Sequence, residues 1–143
     1  MSEHDDVKAA SAQFYAALNQ MLAGHQGSMG GIWSHGATVT TMHPIGGREV
    51  GWDNVRPTWD QVASLASGGQ VTLAEQVLSV AGDTAYEVGY ERGHGMLAGE
   101  RVDIDQRVTN IYRRENGAWK VVHHHTDLSP AMMALLARLQ AKG

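Results

Sequence analysis

RVTNIYRRENGAWKVVHHHTDLSP, residues 107–130, is the stretch whose reading decides the fold. Two runs rich in β-branched and aromatic residues flank Asn116-Gly117, a pair that readily takes the positive φ a tight β-hairpin turn needs. The first run extends back to Arg101, and the second covers Trp119 to about Thr126. Ser129-Pro130 then places a cap and a first-turn proline ahead of MMALLARLQAK, which reads as a short terminal helix. Three adjacent histidines, His123, His124 and His125, close the second strand. Strand side chains alternate between faces, so the three cannot share one. His123 and His125 have the parity of Trp119 and Val121. If the tryptophan faces the helices, His123 and His125 point inward and His124 outward; a local bulge reverses that assignment.

Working outward, Gln70 to Ala81 and Thr84 to Met96 read as two further long strands joined at Gly82-Asp83. Gly89, Gly93 and Gly95 would weaken a flat strand and imply a bulge or strong curvature. Glu87 and Glu91 share one strand face and read as solvated. Tyr86, Val88 and Tyr90 take the other face, where Tyr86 and Tyr90 offer phenol donors to a ligand. Arg101, Asp103, Asp105 and Arg107 alternate in sign along one face, a pattern of cross-strand ion pairs.

The first half reads as helices. Val7, Ala10, Phe14, Leu18 and Met21 recur at helical spacing, predicting an amphipathic helix from about Asp5 to Ala23, capped by Ser2 and ended by Gly24. A short helix is expected over Ser28 to Ser34. A strand follows within ATVTTMHPIGG, residues 37–47, and turns at Pro44 and Gly46-Gly47. Trp52, Val55, Trp59, Val62 and Ala66 predict a helix from Trp52 to Ser67, irregular or kinked at Pro57 and stopped by Gly68-Gly69. Helices followed by a four-stranded antiparallel meander make an α+β domain with helices on one face of a bent sheet. Such a curled sheet leaves a cone whose apolar mouth suits a small molecule.

The chain has 143 residues, so one domain over residues 1–143 is expected. Its 43% hydrophobic and 18% charged residues are ordinary for a globular protein. A net charge of −4 with scattered Lys and Arg argues against a nucleic-acid partner. There are no cysteines, which excludes disulfides, thiolate catalysis and zinc–thiolate sites. The acidic first residues do not read as a secretory signal, and no run of about 18 apolar residues is available to span a membrane. A cytoplasmic location is the default expectation.

FYAALNQMLAG, IWSHGATVTTMHPIGG, AGDTAYEVG and the opening stretch together make the chain resemble the nuclear transport factor 2-like superfamily. The likeness is to its SnoaL-like and ketosteroid-isomerase-like bacterial members. It covers nearly the whole chain and implies a cone-shaped fold, with N-terminal helices packed on a strongly bent antiparallel sheet. It also implies a small apolar ligand, no organic cofactor, and a homodimer formed through the outer face of the sheet. The superfamily hosts isomerases, dehydratases, cyclases and non-catalytic binding modules, so fold alone does not choose among them.

The resemblance carries site residues only position by position. In ketosteroid isomerases a strand ends in Asp-Pro-Val-Gly and that Asp is the general base; here His43 precedes Pro44 at the matching place. The fifth-strand acid of the isomerases falls on Thr109 or a neighbour, and their first-helix tyrosine on Tyr15. An imidazole titrates near neutrality and suits proton transfer, so His43 is the expected base or polar anchor, weighed against a core histidine that merely fixes the turn. Thr109, His123 or His125 would polarise a substrate carbonyl, and Tyr15, Trp33, Trp52, Trp59 and Tyr90 would line the pocket. A histidine-ligated metal enzyme is a further alternative, because His123 and His125 would meet His43 or His35 only if the fold brought them together. No metal site is expected from adjacent strand residues alone.

Overall fold

The computed structural model describes residues 2–142. It comprises α1 (Glu3–Leu22), β1 (Thr40–His43), β2 (Gly46–Val50), α2 (Trp52–Leu65), β3 (Ala66–Ala81), β4 (Thr84–Leu97), β5 (Glu100–Glu115), β6 (Ala118–Thr126) and α3 (Pro130–Lys142). The six strands form one sheet in the order β2-β1-β6-β5-β4-β3. The expected meander β3–β6 is antiparallel throughout. β1 adds to it in parallel, pairing Thr40 with His123, Thr41 with His124 and Met42 with His125. This is the α+β cone fold that the sequence implies, with helices over one face of a bent sheet.

Local chemistry explains most of the boundaries. Ser2 caps α1 by accepting the Asp5 N–H at 3.1 Å, and Glu3, Asp5 and Asp6 occupy the positive end of the helix dipole. The buried stripe of α1 contains the five expected apolar positions and also Ser11 and Tyr15. Ser129 Oγ accepts the Met132 N–H at 3.2 Å and starts α3 as its sequence suggests.

Four details differ from the sequence reading. Residues 28–32 form successive turns and residues 28–34 contain no helix; Trp33 makes a parallel bridge to Val121, and Ser34 N–H donates to the Val121 carbonyl at 3.0 Å. Glycines at 27, 30 and 31 disfavour a helix, and the β6 edge offers this backbone a partner. After Pro44-Ile45 the chain returns at once as β2. The helix stops at Leu65 and continues directly into β3, so Gly68-Gly69 lie in the strand. A Cβ at Gly69 would lie 2.5 Å from the His94 carbonyl oxygen, so the glycine permits close approach of β4 and does not end a helix. Finally, the bulge expected in β4 sits opposite it, in β3. The register shifts between Ala74 and Val77, Glu75 takes φ 56°, and Gly89 leaves room for the Ala74 carbonyl.

A second bulge decides the histidines. Ile111 pairs with His123 but Tyr112 pairs with Val121, so Val122 is the extra residue. Parity therefore flips at Val122: Val121, His124 and Thr126 face the helices, and His123 and His125 face away. The inward placement of His123 and His125 is thus reversed, through the route foreseen for a bulged strand.

Candidate active site

α1, α2 and α3 close over the sheet around a cavity of about 360 Å³, within the range of small-molecule sites. Most of its wall is apolar, including Leu18, Met21, Val62, Leu97, Ile104 and Leu135. His43, Glu91, Gln106 and His124, together with Gln61 on α2 and Gln140 on α3, supply the polar side chains of the lining, and neither Lys nor Arg is among the lining residues. Four hydrophobic residues of α3 lie on the cavity, so the terminal helix forms one of its walls.

His43 ends β1 and is buried where expected. Its Nε2 lies 3.3 Å from Glu49 Oε1 on β2. Thr41 Oγ1 donates to the same carboxylate at 3.1 Å. Contact with His43 holds the Glu49 carboxyl below the usual range against the opposing effect of its partial burial. The His43 ring meets Trp59 edge-on at 4.7 Å, and Trp59 in turn lies 5.4 Å from the His124 ring.

His124 is 2% exposed, between Phe14 and Trp59. Its Nδ1 lies 2.6 Å from Asn110 Oδ1. Burial, with smaller effects of His43, His123 and His125, pushes its pKa well below that of an ordinary histidine. It is therefore neutral at physiological pH.

Behind the cavity lies a dense polar network. Tyr15 donates to Glu91 Oε2 at 2.8 Å, and Gln106 Nε2 donates to Glu91 Oε1 at 2.9 Å. Asn110 Nδ2 donates to the Tyr15 oxygen and to Glu87 Oε1, both at 3.0 Å. Tyr112 also donates to Glu87 Oε1, and Gln76 Nε2 donates to Glu87 Oε2 at 2.8 Å. Both carboxyl groups are almost wholly buried without a cationic partner. Desolvation raises the Glu91 pKa against the lowering effect of its two hydrogen bonds. Burial and then the nearby carboxylates raise the phenols of Tyr15 and Tyr112, so both stay protonated. The reading of Glu87 and Glu91 as solvated is overturned.

Other candidates are placed differently. Tyr15 belongs to the buried network, one bond away from Glu91. Thr109 pairs with His125 on the outer face; its neighbour Asn110 takes the inward position. Tyr90 also lies on the outer face, beneath the Arg92 guanidinium at 4.5 Å. Of the three tryptophans proposed as walls, only Trp59 lines the cavity. Trp33 and Trp52 stack on one another at 6.3 Å and belong to the core. His123 bonds Thr40 Oγ1 through Nδ1 at 2.6 Å, and its ring lies 6.0 Å from that of His125. Among the described residues, no three His, Cys, Asp or Glu side chains converge as a metal site would require. None of their helices is long and apolar enough to cross a membrane.

The sequence alone does not place Glu91, Gln106 and Asn110 inward, and it places His124 there only where β6 is bulged. A signal existed for two of them: Val102, Ile104, Val108 and Tyr112 alternate along β5, and Gln106 and Asn110 share their parity. On β4 the bulky Tyr86, Val88 and Tyr90 pointed to the wrong face, because small residues and glutamates occupy the inner one.

The comparisons agree with this architecture. A protein from Streptomyces avermitilis, described as a candidate dehydratase of the NTF2-like family, superposes with a TM-score of 0.78 at 23% identity, over 89% of this chain and 96% of that one. An NTF2-like superfamily protein from Salmonella enterica gives 0.76 at 14% identity, over 87% and 89%. A Caulobacter vibrioides protein with a cystatin-like fold gives 0.71 at 16% identity, over 97% and 99%. At these identities the likeness concerns the fold alone. No curated protein matches the sequence. The model of the SnoaL-like domain matches residues 7–133, and the chain belongs to that family, within the NTF2-like superfamily.

Proposed function

We propose that the protein binds a small, largely apolar carbonyl compound and moves a proton on it, as an isomerase, dehydratase or cyclase. The observation that carries this reading is the meeting of His43, His124 and Glu91 on one cavity whose other walls are mostly apolar. A neutral imidazole accepts a proton from a carbon beside the carbonyl. A carboxyl group whose pKa is raised by burial can give its own proton at another carbon of the skeleton, or to a departing hydroxyl that leaves as water; the proton held by the imidazole then passes to the carboxylate, which restores both groups. His124 fits the first role and Glu91 the second. Glu49 is placed to stabilise a proton carried by His43 during turnover. With two buried carboxyl groups and no cation in the lining, a neutral substrate is favoured over an anionic one. The tryptophans leave the cavity open, which supports an enzyme over a non-catalytic module.

The test is deuterium exchange into cyclic ketones and β-hydroxy ketones selected by thermal shift. Loss of general acid–base catalysis should slow exchange by about 100-fold or more in His124→Gln and Glu91→Gln. Unchanged exchange in both variants would sink the assignment.

A further inference from the structure

Glu87 lies outside the cavity lining, yet it is fully buried and receives three hydrogen bonds. Resting on the acid–base reading above, we propose that Glu87 is a positioning residue that acts through Asn110 to fix His124 as its Nδ1–H tautomer, which leaves Nε2 as the proton acceptor.

The directions of the bonds carry the inference. Tyr112, Gln76 and Asn110 converge on the two oxygens of Glu87, which makes this carboxylate an acceptor. Asn110 must then turn its NH₂ toward Glu87, and the same group reaches the Tyr15 oxygen. Rotating the amide by half a turn would set its carbonyl oxygen against the carboxylate and leave both NH₂ contacts unmade. The amide oxygen is therefore committed to His124 Nδ1, at 2.6 Å. An amide oxygen donates nothing, so the proton of that bond belongs to Nδ1. In a neutral imidazole the lone pair then resides on Nε2. Tyr15 completes the arrangement: its oxygen accepts from Asn110, so its own proton is free to go to Glu91.

One consequence concerns the substrate. A lone pair on His124 Nε2 can receive a C–H, O–H or N–H proton but cannot hydrogen-bond a carbonyl oxygen. The carbonyl must then be polarised by another group, and the reacting C–H must be the part that approaches His124.

The tautomer is readable by long-range ¹H–¹⁵N spectroscopy of the histidine side chains in the ligand-free protein at neutral pH. It therefore stands or falls separately from any turnover. The expected wild-type result is His124 with Nδ1 protonated and Nε2 bare, by at least about tenfold, the ratio one net hydrogen bond of about 1.4 kcal/mol supports. In Glu87→Gln the new side chain can donate as well as accept, so Asn110 is no longer held in one orientation and the ratio falls toward a mixture. A wild-type His124 protonated on Nε2 overturns the inference, as does a folded Glu87→Gln with an unchanged ratio. If Glu87→Gln does not fold, Asn110→Ala decides, because removing the amide oxygen must also shift His124 away from the Nδ1–H form.

Discussion

Acidification should expose the neutrality of His124. Its ring is 2% exposed, with Nδ1 committed to Asn110, so a second proton would put a charge among Phe14 and Trp59. Its pKa in the folded chain is lowered, mainly by burial, whereas in the unfolded chain it returns to the ordinary 6.5. Between those two values the unfolded state binds more protons, so stability falls as pH drops below the unfolded pKa. For a ring that stays neutral when folded, the loss from about pH 7.5 to about pH 5.5 is about 1.4 kcal/mol, with a further ~1.4 kcal/mol per pH unit until the folded pKa is reached. Glu91 works in the other direction. Its folded pKa is raised, so the folded state binds the extra proton and acidification through that pKa stabilises it. The wild-type curve alone mixes these two with other shifted groups, His123 among them, and the difference from His124→Gln isolates this histidine. Glutamine keeps an N–H for the Asn110 oxygen but cannot titrate. Urea unfolding across this pH range should show the wild type losing about 1.4 kcal/mol more than the variant, equivalent to about 4–5 °C in Tm for a chain of this size. Parallel curves would refute a buried neutral imidazole at this position.

Three further outcomes are expected. Tyr112→Phe removes one of the three donors to Glu87 but leaves Asn110 and Gln76 in place, so it should cost about 1.5–3 kcal/mol by urea unfolding without altering the protonated nitrogen of His124. In Gly93→Ala the new Cβ would overlap the Gln70 carbonyl across the β3–β4 pair, and a loss above about 4 kcal/mol or failure to fold should follow, whereas Gly31→Ala, with open space around it, should change stability by no more than about 0.5 kcal/mol. If a second copy covers the outer face of the sheet, where Val77 and Leu128 are exposed, then Val77→Asp should convert a dimer to a monomer in analytical ultracentrifugation, and a wild type that sediments as a monomer would end that idea.

The sequence carried the fold because hairpin turns, periodicity and caps are local. Asn116-Gly117, Gly82-Asp83, Ser2 and Ser129-Pro130 act within a few residues of themselves, and each performs its expected role. The site depends on which side of a strand faces inward, and a single inserted residue changes that. Val122 reversed the histidines, and no feature of VVHHH announces where the extra residue lies. Burial of Glu87 and Glu91 was hidden for a different reason. A carboxylate survives in a core only with its acceptors satisfied, and the donors here come from positions 15, 76, 106, 110 and 112, which only the folded chain brings together. His43 was legible because its place before Pro44 at a strand end is local and matches a family pattern.

The parallel pairing of β1 with β6 has a consequence for how the molecule comes into being. Thr40 and His123 are 83 residues apart, and His43 gains its neighbour His124 only when these two segments meet. Everything between them must be made before that contact can close, and closing so long a loop is entropically costly and slow. During synthesis β1 and β2 emerge early and wait as an unattached hairpin with open edges until the last fifth of the chain arrives. The pair of imidazoles is therefore among the last features to form, and a chain ending before residue 123 would contain helices and strands but lack the floor on which the site is built.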